Sequence, residues 1–221
     1  MSLYEQTAAH KVKAEGMLGE KFGILADAIE DVRSSGLANR AKAVGTVAPD
    51  FSLLDAFGSS VSLRELLAVG PIVLSFYRGE WCPFCNFELH ALQEVLPQIQ
   101  ALGATLVAVS PEKPDFGAIA TEKHKLTFPV LSDAGNQVAR QYGLVYQVSE
   151  DQKTMSLNMF QLDIAARNAD GSWELPIPAT FVIDPNSTIR FAHVDPDYML
   201  GRADPQSILA ALRESGQISK S

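Results

Sequence analysis

The chain has 221 residues, 26 acidic against 18 basic, and a formal charge of -8. Its 47% hydrophobic and 20% charged content excludes a disordered or fibrous chain, and its acidic balance argues against nucleic acid or anionic lipid as a partner, since both need a basic face. No apolar run approaches the ~18 residues of a membrane span, Met1-Ser2-Leu3-Tyr4-Glu5 is no secretory signal, and two cysteines cannot staple a chain this long, so a soluble, cytoplasmic protein is expected.

At roughly 150 residues per domain the length fits one compact domain plus decoration. Residues 1–44 read as a helical extension. Val12, Leu18, Phe22, Leu25, Ile29 and Val32 recur near helical spacing, Gly16, Gly19 and Gly23 weaken the pattern, and Ser34-Ser35-Gly36 is a stop. Such an extension packs on the main domain or on a second subunit, which makes a homodimer plausible.

From residue 45 to 221 short apolar runs alternate with helical stretches. Phe51–Asp55 and Gly58–Leu63 predict a hairpin, Leu63–Ala68 a short helix, and Ile72–Tyr77 a buried strand of the parallel kind. Pro83–Leu102 predicts a helix with a core stripe of Phe87, Leu89, Leu92, Val95, Leu96 and Ile99, kinked at Pro97. Strand Thr105–Val109, a helix at Phe116–His124, strand Phe128–Leu131, a helix near Asn136–Tyr142 and an extended Leu144–Val148 follow. Glu150–Asn168 reads as an inserted helical region. Strands at Thr180–Asp184 and Thr188–Val194, joined by Pro185-Asn186-Ser187, and a helix at Pro205–Arg213 capped by Asp204 complete an α/β pattern, a mixed sheet with helices on both faces.

Both cysteines lie in Arg78-Gly79-Glu80-Trp81-Cys82-Pro83-Phe84-Cys85, where a buried strand hands over to a helix. Unpaired N–H groups at a helix start carry partial positive charge, which favours a thiolate over a thiol. The thiol pKa falls from about 8.5 and a nucleophile results at neutral pH. One helical turn brings the second sulfur within reach, so the pair can close a disulfide after either has reacted. Pro83 suits the first turn, where its missing N–H costs nothing. A zinc site would need four ligands, and only His90 or His124 is available to complete one, neither at ligand spacing. Asp195 and Asp197 in Val194-Asp195-Pro196-Asp197-Tyr198 read as turn residues rather than metal ligands. Arg78 and Arg190 are candidates to stabilise a thiolate or a peroxide oxygen. Glu80 reads as an exposed loop acid, and Trp81 as a shield for the sulfurs. The scattered histidines are assigned no role, and no cofactor or metal is implied.

The segment Phe76–Cys85, Pro178-Ala179-Thr180-Phe181-Val182-Ile183-Asp184 downstream, and the opening Val47-Ala48-Pro49-Asp50-Phe51-Ser52-Leu53 resemble the thioredoxin superfamily. More narrowly they resemble its alkyl-hydroperoxide-reductase and thiol-specific-antioxidant branch, the peroxiredoxin-like proteins. The resemblance runs from about Gly45 to the last helix, leaves out the first forty residues, and implies a thioredoxin-like fold.

Two registers follow from the resemblance. The peroxiredoxin register makes Cys85 the peroxidatic cysteine, puts Cys82 where the family has Thr or Ser and Arg78 where it has proline, and puts Pro178 where the family's second arginine falls. The thioredoxin register, Trp-Cys-x-x-Cys, makes Cys82 the exposed attacking thiol and Cys85 the resolving one. Pro178 then matches that superfamily's cis-proline and implies a cis bond at Ile177-Pro178. Ser75 and Phe76 stand where thioredoxin's buried acid would be. The resemblance implies catalysis by Cys82 and Cys85, with Trp81, Arg78, Pro178 and Thr180 shaping the site. It implies reduction of a hydroperoxide or a disulfide, with a thioredoxin-like or small-thiol reductant restoring the dithiol. A zinc-binding or interaction module is the non-enzymatic alternative.

Overall fold

A computed structural model of the chain describes residues 1–218, and side chains through residue 214; the last three positions of the 45–221 domain lie outside the described residues. The extension folds as predicted. Helix α1 (Leu3–Leu18) starts on a capping box, in which Ser2 Oγ accepts from the Glu5 N–H and Glu5 accepts from the Ser2 N–H. A single 3-10 turn leads to α2 (Phe22–Ser34). Ile29 is buried, while Phe22 and Leu25 are half-buried against the core; Val12 faces solvent.

The remaining chain builds β1 (Ser52–Asp55), β2 (Ser60–Ser62), α3 (Leu63–Val69), β3 (Ile72–Phe76), α4 (Pro83–Ala101), β4 (Thr105–Ser110), α5 (Pro114–His124), β5 (Val130–Ser132) and α6 (Gln137–Gln141). It continues through β6 (Val145–Gln147), α7 (Glu150–Met159), α8 (Ile164–Arg167), β7 (Glu174–Pro176), β8 (Ala179–Ile183), β9 (Ile189–Val194) and α9 (Pro205–Ile218). Among the described residues the main sheet has seven strands in the order β2-β1-β5-β4-β3-β8-β9. β3, β4 and β5 run parallel, β1 and β2 extend the sheet antiparallel on one side, and β8 and β9 do so on the other.

β3 shows why the sheet needs two covers. Val73 and Tyr77 join the α4 and α9 side of the core, whereas Ile72, Leu74 and Phe76 join the side of α3 and α6. Burial on both faces requires a continuous apolar run, which is what Ile72–Tyr77 supplies. Each such aliphatic side chain contributes about 1.5–3 kcal/mol by leaving water.

Three local features differ from the sequence reading. Strand β7 was not foreseen; its three residues, Glu174-Leu175-Pro176, pair with β6 outside the main sheet, a run too short to announce itself. Phe87, read as part of the core stripe of α4, is half-buried against His10 of α1 rather than fully in the core. No cis peptide bond occurs among the described residues, so Ile177-Pro178 is trans. The Ile177 N–H is engaged by the Leu144 carbonyl at 2.8 Å, which carries the chain straight from β7 into β8.

Candidate active site

Strand β3 pairs Phe76 with Ala179 of β8, so the loop that leaves β3 starts beside Pro178. That loop is pinned from below. Glu112, whose side chain is fully buried, accepts from the Glu80 N–H at 2.6 Å and from Arg167 Nε at 2.6 Å. The Glu80 carboxylate takes Lys123 at 2.6 Å and Arg167 at 3.0 Å, and Asn86 Nδ2 donates to the Glu80 carbonyl. Glu80 is therefore 8% exposed, not the solvated acid that its loop position suggests. At Gly79, with φ of +154°, a Cβ would lie 2.4 Å from Trp81 Nε1 and 2.9 Å from Glu112 Cδ; only glycine lets these groups close over the turn.

Helix α4 begins where the loop ends. Ser62 in α3, Ser149 in α7 and Asp163 in α8 each cap their helix by accepting a backbone N–H; in α4 the N-cap position is occupied by Cys82, whose side chain makes no such bond, with Pro83 at the first helical position. Cys85, three residues on, lies on the buried face with Glu88 and Leu89. Both thiols are free. Cys82 is 1% exposed, which departs from the exposed attacking thiol of the thioredoxin register, but its side of the helix start opens into a cavity of about 340 Å³. Cys85 is not part of that cavity's wall.

Two guanidinium groups flank the pair. Arg78 is buried between aromatic rings, its Cζ 3.9 Å from the Tyr198 centroid and 4.9 Å from that of Trp81. Among the described residues no carboxylate pairs with it, and its Nε has no hydrogen-bond partner. Arg202 approaches from beneath. Its Nη2 donates to Cys85 Sγ at 3.4 Å and to the Tyr198 carbonyl at 2.6 Å, and its Nη1 pairs with Glu88 Oε2 at 2.6 Å. Thr180 Oγ1 lies 3.4 Å from the other Glu88 oxygen. Glu88 balances Arg202 and leaves the Arg78 guanidinium without a carboxylate, a surplus positive charge that a thiolate would neutralise.

The sulfurs respond in opposite directions. Burial pushes Cys82 up, but the Cys85 thiol donating to it, Arg78, Arg202 and the Cys85 backbone N–H together outweigh burial and bring it down to about 6. Burial raises Cys85 well above a free thiol, and its role as donor to Cys82 and the nearby thiolate charge reinforce that. The pair is thus asymmetric: the surroundings favour the thiolate at Cys82 and the thiol at Cys85.

Of the residues singled out from sequence, Cys82, Cys85, Arg78, Trp81 and Thr180 converge here. Pro178 is buried at the start of β8, one register step beyond the Phe76–Ala179 pair. Arg190 does not reach the site: it pairs with Asp184 at the opposite end of β8. Asp195 and Asp197 accept backbone N–H groups of their own turn. Among the described residues no group of three His, Cys, Asp or Glu side chains is placed to hold a metal. Glu88, Arg202, Tyr198, Glu112 and Arg167 were missed. Glu88 left a signal, an acid inside an apolar helical stripe; Arg202 left none, since a loop arginine reads as solvated.

Residues 44–192 match the model of the AhpC/TSA family. The chain belongs to this family. The matched segment carries both cysteines but neither α1, α2 nor Arg202. Among curated relatives, the chain is 27% identical over 149 residues to a chloroplastic peroxiredoxin Q of Gentiana triflora, an alignment covering 67% of this chain and 58% of that protein. It is 29% identical over 151 residues to the thiol-disulfide oxidoreductase ResA of Geobacillus thermodenitrificans, covering 68% of each. Among solved structures, the peroxidoxin BcpB of Mycobacterium tuberculosis superposes with a TM-score of 0.63 at 26% identity, covering 77% of this chain and 96% of that one. The relatives thus divide between the same two chemistries as the two sequence registers. Among the described residues no helix is long and apolar enough to cross a membrane.

Proposed function

We propose that this family member is a thiol oxidoreductase that reduces hydroperoxides, with Cys82 as the attacking thiolate and Cys85 as the resolving thiol. The observation that carries this reading is the asymmetry of the pair. Cys82 opens to a cavity and is drawn down to about 6, while Cys85 is sealed behind it, raised, and donates to it. This follows the thioredoxin register.

In the first step the Cys82 thiolate attacks the terminal oxygen of the hydroperoxide. A sulfur–oxygen bond forms, the oxygen–oxygen bond breaks, and the departing alkoxide takes a proton to become an alcohol. Cys82 is now a sulfenic acid. The Cys85 sulfur, losing its proton to the leaving hydroxide, attacks Cys82; water departs and the Cys82–Cys85 disulfide remains. An external thiol reductant, a thioredoxin-like protein or a small thiol, supplies the two electrons that return the pair to dithiol. No prosthetic group takes part. Arg78 and Arg202 hold negative charge on sulfur in the resting state, Trp81 shields it, and Thr180 and Glu88 hold Arg202 in place. We place this cycle in a reducing compartment such as the cytoplasm, where an external thiol reductant is available.

A second reading, reduction of disulfides, is favoured by the Trp81-Cys82-Pro83-Phe84-Cys85 motif and the likeness to ResA. It uses the same first nucleophile. Stopped-flow oxidation of the reduced protein by hydrogen peroxide separates the two. Tryptophan fluorescence is followed in a Trp173→Phe background, and dimedone traps sulfenic acid in Cys82→Ser and Cys85→Ser. Rapid oxidation with dimedone on Cys82 of the Cys85→Ser variant is expected. Oxidation no faster than that of free cysteine would favour the disulfide chemistry, and dimedone only on Cys85 would reverse the roles.

A further inference from the structure

The sulfur that reacts first does not lie on an open surface. It sits at the floor of the cavity of about 340 Å³, a volume in the range of small-molecule pockets. Two further segments complete the cavity wall. Helix α1 contributes His10, Ala14, Met17 and Leu18, and α7 with the turn after it contributes Ser156 and Phe160. Helix α1 lies outside the family-matched segment and is anchored through His10, whose ring meets Phe84 and Phe87 edge-on at 5.1 and 5.4 Å. Met17 and Phe160 are 67% and 48% exposed although both belong to the cavity wall, so they form an apolar rim where the cavity meets solvent. No aspartate, glutamate or lysine lines the cavity, and its one fixed charge, Arg78, stands beside Cys82.

We infer that α1 is the specificity element of this enzyme: with α7 it makes Cys82 favour a low-molecular-weight organic hydroperoxide with an apolar body over hydrogen peroxide, and it keeps protein disulfides out. The inference rests on the reading of Cys82 as the attacking thiolate. A folded protein substrate presents its disulfide on a convex surface and must bring it to a sulfur exposed at the surface. Cys82, at 1% exposure, offers none. A small molecule instead buries its hydrocarbon against Ala14, Leu18 and Leu25, gaining about 25 cal/mol per Å² of apolar area removed from water. Its peroxide end then meets the thiolate and Arg78.

The test compares hydrogen peroxide with cumene hydroperoxide in the full chain and in two wall variants. Ala14→Trp fills the cavity from α1, and Phe160→Asp places a charge on the exposed rim without touching the core. Each is expected to slow oxidation by cumene hydroperoxide at least tenfold more than it slows oxidation by hydrogen peroxide, which needs no apolar wall. The wild type is expected to reduce insulin disulfides no faster than dithiothreitol alone. Equal slowing of both peroxides, no slowing of either, or fast insulin reduction would overturn the assignment.

A second readout is independent of peroxide chemistry. Cumyl alcohol, which cannot oxidise a thiol, is expected to protect wild-type Cys82 from iodoacetamide and to lose that effect in Ala14→Trp. Protection together with inert peroxides would refute the peroxidase reading and keep the pocket. Absence of protection would refute the pocket whatever the peroxides do.

Discussion

Arg202 donates one guanidinium nitrogen to Cys85 Sγ at 3.4 Å and a second to Glu88 at 2.6 Å, all three groups being buried. The contact joins the resolving cysteine to a residue of the loop before α9, beyond the family-matched segment. Removing the arginine strands Glu88, since breaking a buried pair leaves an uncompensated charge. Arg202→Met is expected to cost about 3–5 kcal/mol in urea denaturation. The double variant Arg202→Met with Glu88→Leu, which removes both charges, is expected to recover most of that loss. A double variant as unstable as the single one would show that the arginine acts by packing alone.

Arg78 does a different job, because it spends its charge on no carboxylate. Arg78→Met is expected to move the midpoint of Cys82 alkylation upward from about 6 toward the ~8.5 of a free thiol, and to slow alkylation at pH 7 about tenfold. Arg78→Lys keeps the charge but loses the flat stacking between Trp81 and Tyr198, and is expected to fall between. An unchanged midpoint in Arg78→Met would remove this arginine from the account.

Gly79 tests the loop. Alanine there must displace Trp81 or Glu112, and Glu112 is fixed by the Glu80 N–H and Arg167. Gly79→Ala is expected to cost about 1–3 kcal/mol and to make Cys82 more accessible to a bulky maleimide, because the tryptophan moves aside. Thermal unfolding and the maleimide rate read the two effects separately.

The cysteine pair was legible because its chemistry is local: a strand, a short loop and a helix start are all written in consecutive residues. The sheet was legible for the same reason, from Ile72–Tyr77 and the other apolar runs. What stayed hidden depends on distant pieces meeting. Nothing in Gly201-Arg202-Ala203 says that its arginine lies under a helix 114 residues earlier, and Glu80 looked solvated until Lys123 and Arg167 arrived from elsewhere in the chain. The expected cis bond at Ile177-Pro178 came from resemblance, and the trans bond found there follows the path set by β6 and β7. The extension was legible as helices. Its place in the cavity wall at Cys82 was not, because amphipathic spacing says that a face is covered and not by what.

The most direct measurement is the rate of iodoacetamide alkylation of the fully reduced protein from pH 4 to 10, with each cysteine quantified by peptide mass spectrometry. Cys82 is expected to react first, its rate rising as pH climbs through about 6 and levelling above pH 7 as the thiolate fraction saturates, while Cys85 stays unmodified across the neutral range. Modification of Cys85 first, or a Cys82 midpoint near 8.5, would contradict it.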